Sequence, residues 1–303
     1  MKNICLIFTL LAALFLVSCN NSNSKEANID KSNCEITYSS EGKCIALGNL
    51  EGWGAEIKSH EFENGLGKIT FNGKVTSVPE SAFRDCKKLR SITLPNSITS
   101  INGLAFLGCE NLKTIKLPDN LKTIDSSAFA YCTSLDTITI PDGVTTIGYK
   151  AFNSCNDLEV ITIPNSVTSI EAYAFQDCKT LHRITIPESI TSIAEGLFYG
   201  CDYLKKITIP DGVTSIGKEA FYSCDKLESV TIGKSVTSIG DNAFSGCRSL
   251  TSVYCKSTTP PTGARFMFEF YLCKIYVPRQ SVKAYKSAWS WSDYADYIVG
   301  YDF

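Results

Sequence analysis

Ala151–Phe152–x–x–Cys155–x–x–Leu158–x–x–Ile161–x–Ile163–Pro164–x–x–Val167–Thr168–Ser169–Ile170 is one turn of a unit that returns every 23 residues. Phenylalanine recurs at Phe83, Phe106, Phe129, Phe152, Phe175, Phe198, Phe221 and Phe244. Cysteine follows each by three, from Cys86 to Cys247, and leucine three further on, from Leu89 to Leu250. A strict period of this length describes a solenoid, in which each coil buries its apolar face against its neighbours.

The L-x-x-I-x-L spacing within a 20–29-residue period identifies a leucine-rich-repeat solenoid. Each coil holds one confident strand, such as Thr137–Ile138–Thr139–Ile140, whose side chains alternate in and out. Proline ends the strand at Pro95, Pro118, Pro141, Pro164, Pro187 and Pro210, because it has no N–H for a ladder. Gly233 replaces it in the last regular coil. Val144–Thr145–Thr146–Ile147 and its equivalents supply a second short apolar stretch on the opposite wall. A helical or 3₁₀ turn then carries the Ala–Phe pair. Twenty-three residues leave no room for a long helix, so the fold is β-dominated, with stacked parallel strands. Eight coils at ~4.8 Å span on the order of 38 Å.

The 303 residues carry a formal net charge of −2, with pI about 5.8 and no block of like charge. That balance sets nucleic acid aside as a partner, since its electrostatic footprint is basic. The two histidines, His60 and His182, lack metal-ligand spacing. Eight of the 14 cysteines fall one per coil, in single file, whereas a zinc site needs four converging ligands. Neighbouring Cβ atoms in that file are ~5 Å apart and a disulfide wants ~3.8 Å. The file therefore reads as buried free thiols in a tight turn. No metal and no cofactor is expected.

The N-terminus carries an address. Met1–Lys2–Asn3 is followed by an almost unbroken apolar run from Ile4 to Val17, too short to span a bilayer comfortably and suited to a signal peptide. Leu16–Val17–Ser18–Cys19 resembles a bacterial lipobox, which implies cleavage after residue 18 and acylation of Cys19. An ordinary secretory signal that contains a cysteine, or a buried helix, is the other reading. The following polar run reads as a flexible tether over residues 19–33.

Residues 34–68 leave the register and read as the cap that the first coil needs. Within them, residues 35–38 and 44–47 flank a turn and are expected to form a β-hairpin. Cys34 and Cys44 bracket it. A disulfide between them and two free thiols are both open, the former suiting an oxidising compartment. Ser59–His60–Glu61 holds nucleophile-like and base-like residues side by side, but neighbours on a strand face opposite ways. At the other end, residues 272–278 match residues 89–95 position for position, with Phe266 in the phenylalanine column. Cys255 then points inward and Cys273 outward. Ser281 is a helix N-cap for residues 282–288. The aromatic run Trp289, Trp291, Tyr294, Tyr297, Tyr301 and Phe303 covers the last coil. The solenoid so defined spans residues 69–278 and its C-terminal cap 279–303.

Function has one extended face to live on, the outward strand positions. One column reads Ser91, Thr114, Thr137, Val160, Arg183, Lys206, Ser229, Ser252; the next reads Thr93, Lys116, Thr139, Thr162, Thr185, Thr208, Thr231, Tyr254. Threonine at such positions follows from β-propensity alone. Lys116, Val160, Arg183, Lys206 and Tyr254 are the departures a ladder does not require, and so the candidate ligand-facing residues.

The AFxxCxxLxxIxIPxxVTSIG unit resembles the BspA-like leucine-rich-repeat proteins, the group built on the type-5 repeat. The resemblance covers residues 69–278. It implies a cell-surface or secreted protein, some members of the group being implicated in adhesion to host matrix or to other bacteria. It brings no catalytic motif, so no functional residue is carried over. The reading is a lipid-anchored protein of the bacterial cell envelope, an outer-membrane lipoprotein facing the outside or the periplasm. It would hold a protein or glycan and touch the membrane through lipid alone. The alternative is a scaffold or spacer without a specific ligand, and an enzyme is not expected.

Overall fold

The computed structural model describes residues 31–44, 51–263, 267–268 and 273–303. The signal peptide, Cys19 and most of the tether lie outside the described residues, as do Phe266 and Leu272.

Three hydrogen-bonded walls run the length of the stack. The first contains the expected strands, from Leu89–Thr93 through Thr137–Thr139, Val160–Thr162 and Arg183–Ile184 to Ser252–Cys255 and Lys274–Pro278, parallel and one coil apart. Pairing along it breaks between residues 116 and 137 and again between 184 and 206, which divides it into three sheets. The second wall is a ladder of two-residue strands from Ser77–Val78 to Thr262–Gly263, in two sheets that part between residues 170 and 192. Inward residues of both walls, such as Ile161 and Ile147, are buried.

The third wall is formed by the turn that carries the Ala–Phe pair. It is a succession of i→i−3 turns, as in Arg84 N–H to Ser81 and Cys86 N–H to Phe83 (both 3.1 Å), and not a continuous helix. Alternate N–H groups point instead at the next coil: Phe83 donates to Ala105 and Asp85 to Leu107, both at 2.7 Å. This geometry forces two left-handed residues per coil, two before and two after each phenylalanine. Lys150 (φ 54°) and Ser154 (φ 58°) flank Phe152 in this way, and Gly108 and Gly200 occupy the second position elsewhere.

Between the walls lies a file of stacked rings. Phe83 to Phe244 are all buried, with neighbouring centroids 5.1–5.7 Å apart and planes within 22°. The next ring is Phe268, 5.4 Å from Phe244. This corrects the placement of Phe266: the last coil gains one residue before its phenylalanine. Cysteines Cys109 through Cys247 are buried free thiols. Each donates its S–H to the phenylalanine carbonyl of the preceding coil, as Cys155 does to Phe129 at 3.2 Å. That carbonyl also accepts the N–H of its own coil's cysteine, so both lone pairs are used.

The N-terminal cap is a three-stranded antiparallel extension of the first wall. Its strands are β1 (Glu35–Ser40), β2 (Ile57–Glu63) and β3 (Leu66–Phe71). The hairpin is β2–β3, closed by Asn64 and Gly65, both with positive φ. β1 lies between β3 and Leu89–Thr93. Both of its edges are taken, so the hairpin expected between 35–38 and 44–47 does not form. Asn33, placed in the tether, is bound in: its carbonyl accepts from Val75 N–H and its Oδ1 from Ser97 N–H. At the far end, helix α1 (Val282–Ser287) follows Ser281, which sends its hydroxyl to the Thr258 carbonyl (2.7 Å) and makes no side-chain cap. Tyr285, Trp291 and Tyr294 are buried over the last coil, while Trp289, Tyr301 and Phe303 remain exposed. Cys255 is buried as expected, against the Tyr285 hydroxyl, but Cys273 is buried too, beside Cys247.

Candidate recognition face

The outward face of the first wall presents the departures as follows. Val160 and Arg183 pair in register on adjacent strands, both exposed. Lys206 starts the next strand, across the second break in pairing, and is exposed. Neither cation is in an ion pair among the described residues. Like charges on neighbouring strands oppose each other, so the pair is poised to gain from an anion.

Lys116, also exposed, lies two strands before Val160, and Tyr254 two strands after Lys206. At ~4.8 Å per strand, Lys116 and Tyr254 are ~29 Å apart. The structure therefore brings together Val160, Arg183 and Lys206 and leaves the other two at a distance.

Tyr254 is not alone. It stacks on Tyr276 (4.7 Å, 10°), and Tyr301 meets both edge-on at 5.6 and 5.5 Å, with Phe303 beyond. Sequence reasoning assigned Tyr301 and Phe303 to the cap and passed over Tyr276. The signal was present, since Tyr276 occupies the position of Thr93 in the match to the first coil and so stands directly after Tyr254 in its column.

Beside the strands, Lys113, Asp136, Asp157 and Glu159 line a shallow depression of about 360 Å³ with Ser134 and Thr180. Of its two hydroxyls, that of Thr180 donates to the Asn156 carbonyl at 2.7 Å and not to a carboxylate of the lining. Ser59 and His60 face opposite ways, as strand neighbours must: Ser59 Oγ meets Thr70 Oγ1 at 2.6 Å, and His60 Nε2 meets the Tyr38 hydroxyl at 2.8 Å. Burial, and then the Lys43 charge, push the His60 pKa down, while burial pushes Tyr38 up to about 12. His182 is exposed, its Nδ1 3.1 Å from the Thr180 carbonyl.

Cys34 is half-buried and Cys44 buried. Cys34 precedes the first residue of β1, whereas Cys44 Sγ lies 2.8 Å from Ser40 Oγ at its last. A strand of that length holds them on the order of 17 Å apart, which corrects the Cys34–Cys44 pairing. The thiol beside Cys44 is that of Cys86.

A profile of the BspA type leucine-rich repeat region matches residues 55–182 and 168–294, in 6 copies. Among solved structures, a leucine-rich repeat protein from Bacteroides ovatus is 27% identical, with a TM-score of 0.57 over 72% of this chain and 61% of that one. The chain thus spans less than two thirds of that protein's length. A T. pallidum leucine-rich repeat protein is 28% identical over 57% of this chain and 77% of its own, with a TM-score of 0.47. No curated protein matches the chain. None of these likenesses brings an enzyme family with it.

Proposed function

The chain belongs to the BspA-type leucine-rich-repeat family, and from that membership we propose that it is a recognition module of the bacterial cell envelope, tethered by lipid at Cys19. It holds an acidic group of a protein or glycan on the outward strand face. The observation that carries this is the pair Arg183 and Lys206: two exposed cations on neighbouring coils, held by backbone pairing and by the core beneath Ile184 and Ile207. Ordered strands present them without the entropy loss of arranging a loop. Val160 supplies apolar contact beside them, and the Tyr254–Tyr276–Tyr301 cluster offers aromatic faces further along. The lipobox-like Leu16–Val17–Ser18–Cys19 and the polar run after it support the tether.

The test is capture on protein and glycan arrays by the wild type and by Arg183→Glu/Lys206→Glu. Loss of capture at unchanged thermal midpoint supports the face. Capture that survives the double reversal refutes it, and an array without binding for the wild type favours a spacer. Labelled fatty acid incorporated by the wild type and not by Cys19→Ala supports the anchor. Protease that strips the solenoid from intact cells places it outside the cell.

A further inference from the structure

The cysteine file has a head. From Cys109 onward each S–H reaches a phenylalanine carbonyl of the coil before it, at 3.0–3.2 Å. Cys86 belongs to the first coil, which no repeat coil precedes, and it is half-buried. The cap brings Cys44 to that place instead. Cys44 is 3% exposed, its thiol lies 2.8 Å from Ser40 Oγ and its N–H donates to the Tyr38 hydroxyl at 3.1 Å. Ser40 in turn pairs with Leu89, whose N–H donates to the Cys86 carbonyl at 2.9 Å, and the Cys86 side chain acts on the Cys44 thiol.

We propose that Cys44 and Cys86 form a disulfide that fastens the N-terminal cap to the first coil. Pairs within the file are prevented by the spacing the hydrogen-bonded walls impose, about an ångström too wide between Cβ atoms. Cys44 lies past the end of β1, on no strand, so that spacing does not bind it. Cys34 is excluded by the length of β1.

The bond forms by exchange with a disulfide-bearing oxidant. The half-exposed Cys86 thiolate attacks one sulfur of the oxidant, giving a mixed disulfide and one free thiol. The Cys44 thiolate then attacks the Cys86 sulfur and expels the second oxidant thiol. The protein loses two hydrogens and two electrons pass to the oxidant, which leaves as two thiols. In the dithiol the Cys86 side chain, then Ser40 and the Lys88 charge, lower the Cys44 pKa against burial. Once Cys86 carries the oxidant it has no S–H to give, and Ser40 and Lys88 are what favour the Cys44 thiolate in the second step.

The test uses the full chain, treated with oxidised glutathione at pH 7.5, quenched with an alkylating agent and digested with trypsin. Cleavage after Lys43, Lys58, Arg84 and Lys87 places Cys44 in the peptide 44–58, Cys86 in 85–87 and Cys34 in a third. The expected product is 44–58 linked to 85–87, two hydrogens lighter than the sum of its parts, with the remaining file cysteines alkylated. Cys44→Ser should leave glutathione attached to Cys86. The linked protein should melt several degrees above the same protein in reductant, because a 42-residue loop is closed in its unfolded state. Recovery of both thiols alkylated overturns the proposal, and so does a link from Cys44 to Cys34 or between file cysteines.

Discussion

Replacing Phe152 by alanine removes one ring from the middle of the file. Phe152 is fully buried, 5.4 Å from Phe129 and 5.7 Å from Phe175, nearly parallel to both. Truncating a buried phenylalanine costs ~3–5 kcal/mol, depending on how far the surroundings collapse. Collapse is resisted here. Backbone bonds on either side, Phe129 N–H to Ala151 (2.8 Å) and Phe152 N–H to Ala174 (2.9 Å), fix the coil spacing. The cost should therefore sit near ~5 kcal/mol, a large part of the ~5–15 kcal/mol that holds a domain folded. In a solenoid this loss is local to two interfaces. Urea unfolding followed by circular dichroism should split into two steps. Hydrogen exchange should quicken most in the coils of Phe129, Phe152 and Phe175, by two to more than three orders of magnitude at ~1.4 kcal/mol per tenfold. Val160→Ala, exposed in the same coil, should change stability by less than about 0.5 kcal/mol. A cost for Phe152→Ala below ~1.5 kcal/mol, or protection lost equally along the whole chain, would refute the reasoning.

Alkali should unfold the protein through the cysteine file. Burial raises the thiol pKa of Cys132, Cys155, Cys178, Cys201 and Cys224. A raised folded-state pKa gives stability that is full below the unfolded value near 9 and is lost above it, at up to ~1.4 kcal/mol per thiol per pH unit. The urea midpoint should then fall steeply from pH 9 to 10.5, and less steeply in Cys155→Ala; a flat profile would count against buried neutral thiols. Tyr131, exposed and left-handed at φ 60°, stands where Gly108, Gly200 and Gly246 stand in other coils. Tyr131→Gly should raise stability by ~0.5–1 kcal/mol, since relief of ~1–2 kcal/mol of strain outweighs the added entropy of unfolded glycine. A lower midpoint in urea would show that the tyrosine contributes more than its backbone costs.

What the sequence disclosed follows the period. Phe, Cys and Leu columns, the strand and the proline after it recur, so eight copies vote on each position. The left-handed residues escape the same reading because Leu104, Lys150, Tyr173 and Glu219 share a backbone conformation and no side-chain chemistry. Their φ is imposed by bonds to the next coil, which override residue preference. The cap was misread for a different reason. Asn64–Gly65 is a strong local hairpin signal, but the expected hairpin falls at residues 35–47, and the partners of β1 are 27–35 and 49–56 residues away. Phe266 and Phe268 each lie one residue from the 23-residue step beyond Phe244, and an insertion in a single degenerate coil has no second copy to fix which ring continues the file. The five candidate face residues were legible as exceptions to the threonine column. Their grouping was not, since the aromatic neighbours of Tyr254 come partly from the last strand.

The two ends of the file bear on where recognition takes place. Trp53 meets Phe83 edge-on at 6.0 Å (82°), and Tyr294 meets Phe268 edge-on at 5.5 Å (85°). A parallel stack leaves the face of its terminal ring open to the next copy, whereas an edge-on ring covers that face and offers no continuation. The backbone follows the same logic. β1 runs antiparallel across the first coil, and Ile298–Tyr301 pairs with Lys274–Pro278 beyond the last full coil. The outermost cap strand, β2, carries Lys58, Glu61 and Glu63, which discourage edge-to-edge pairing. With the interior repeated from coil to coil and closed at both ends, the sequence differences between coils are carried mainly by side chains that point outward. A partner that tells this solenoid from another of the same period must read those side chains. Arg183 and Lys206 on the strand face, and the tyrosine cluster at its end, are two places where outward side chains depart from the repeat.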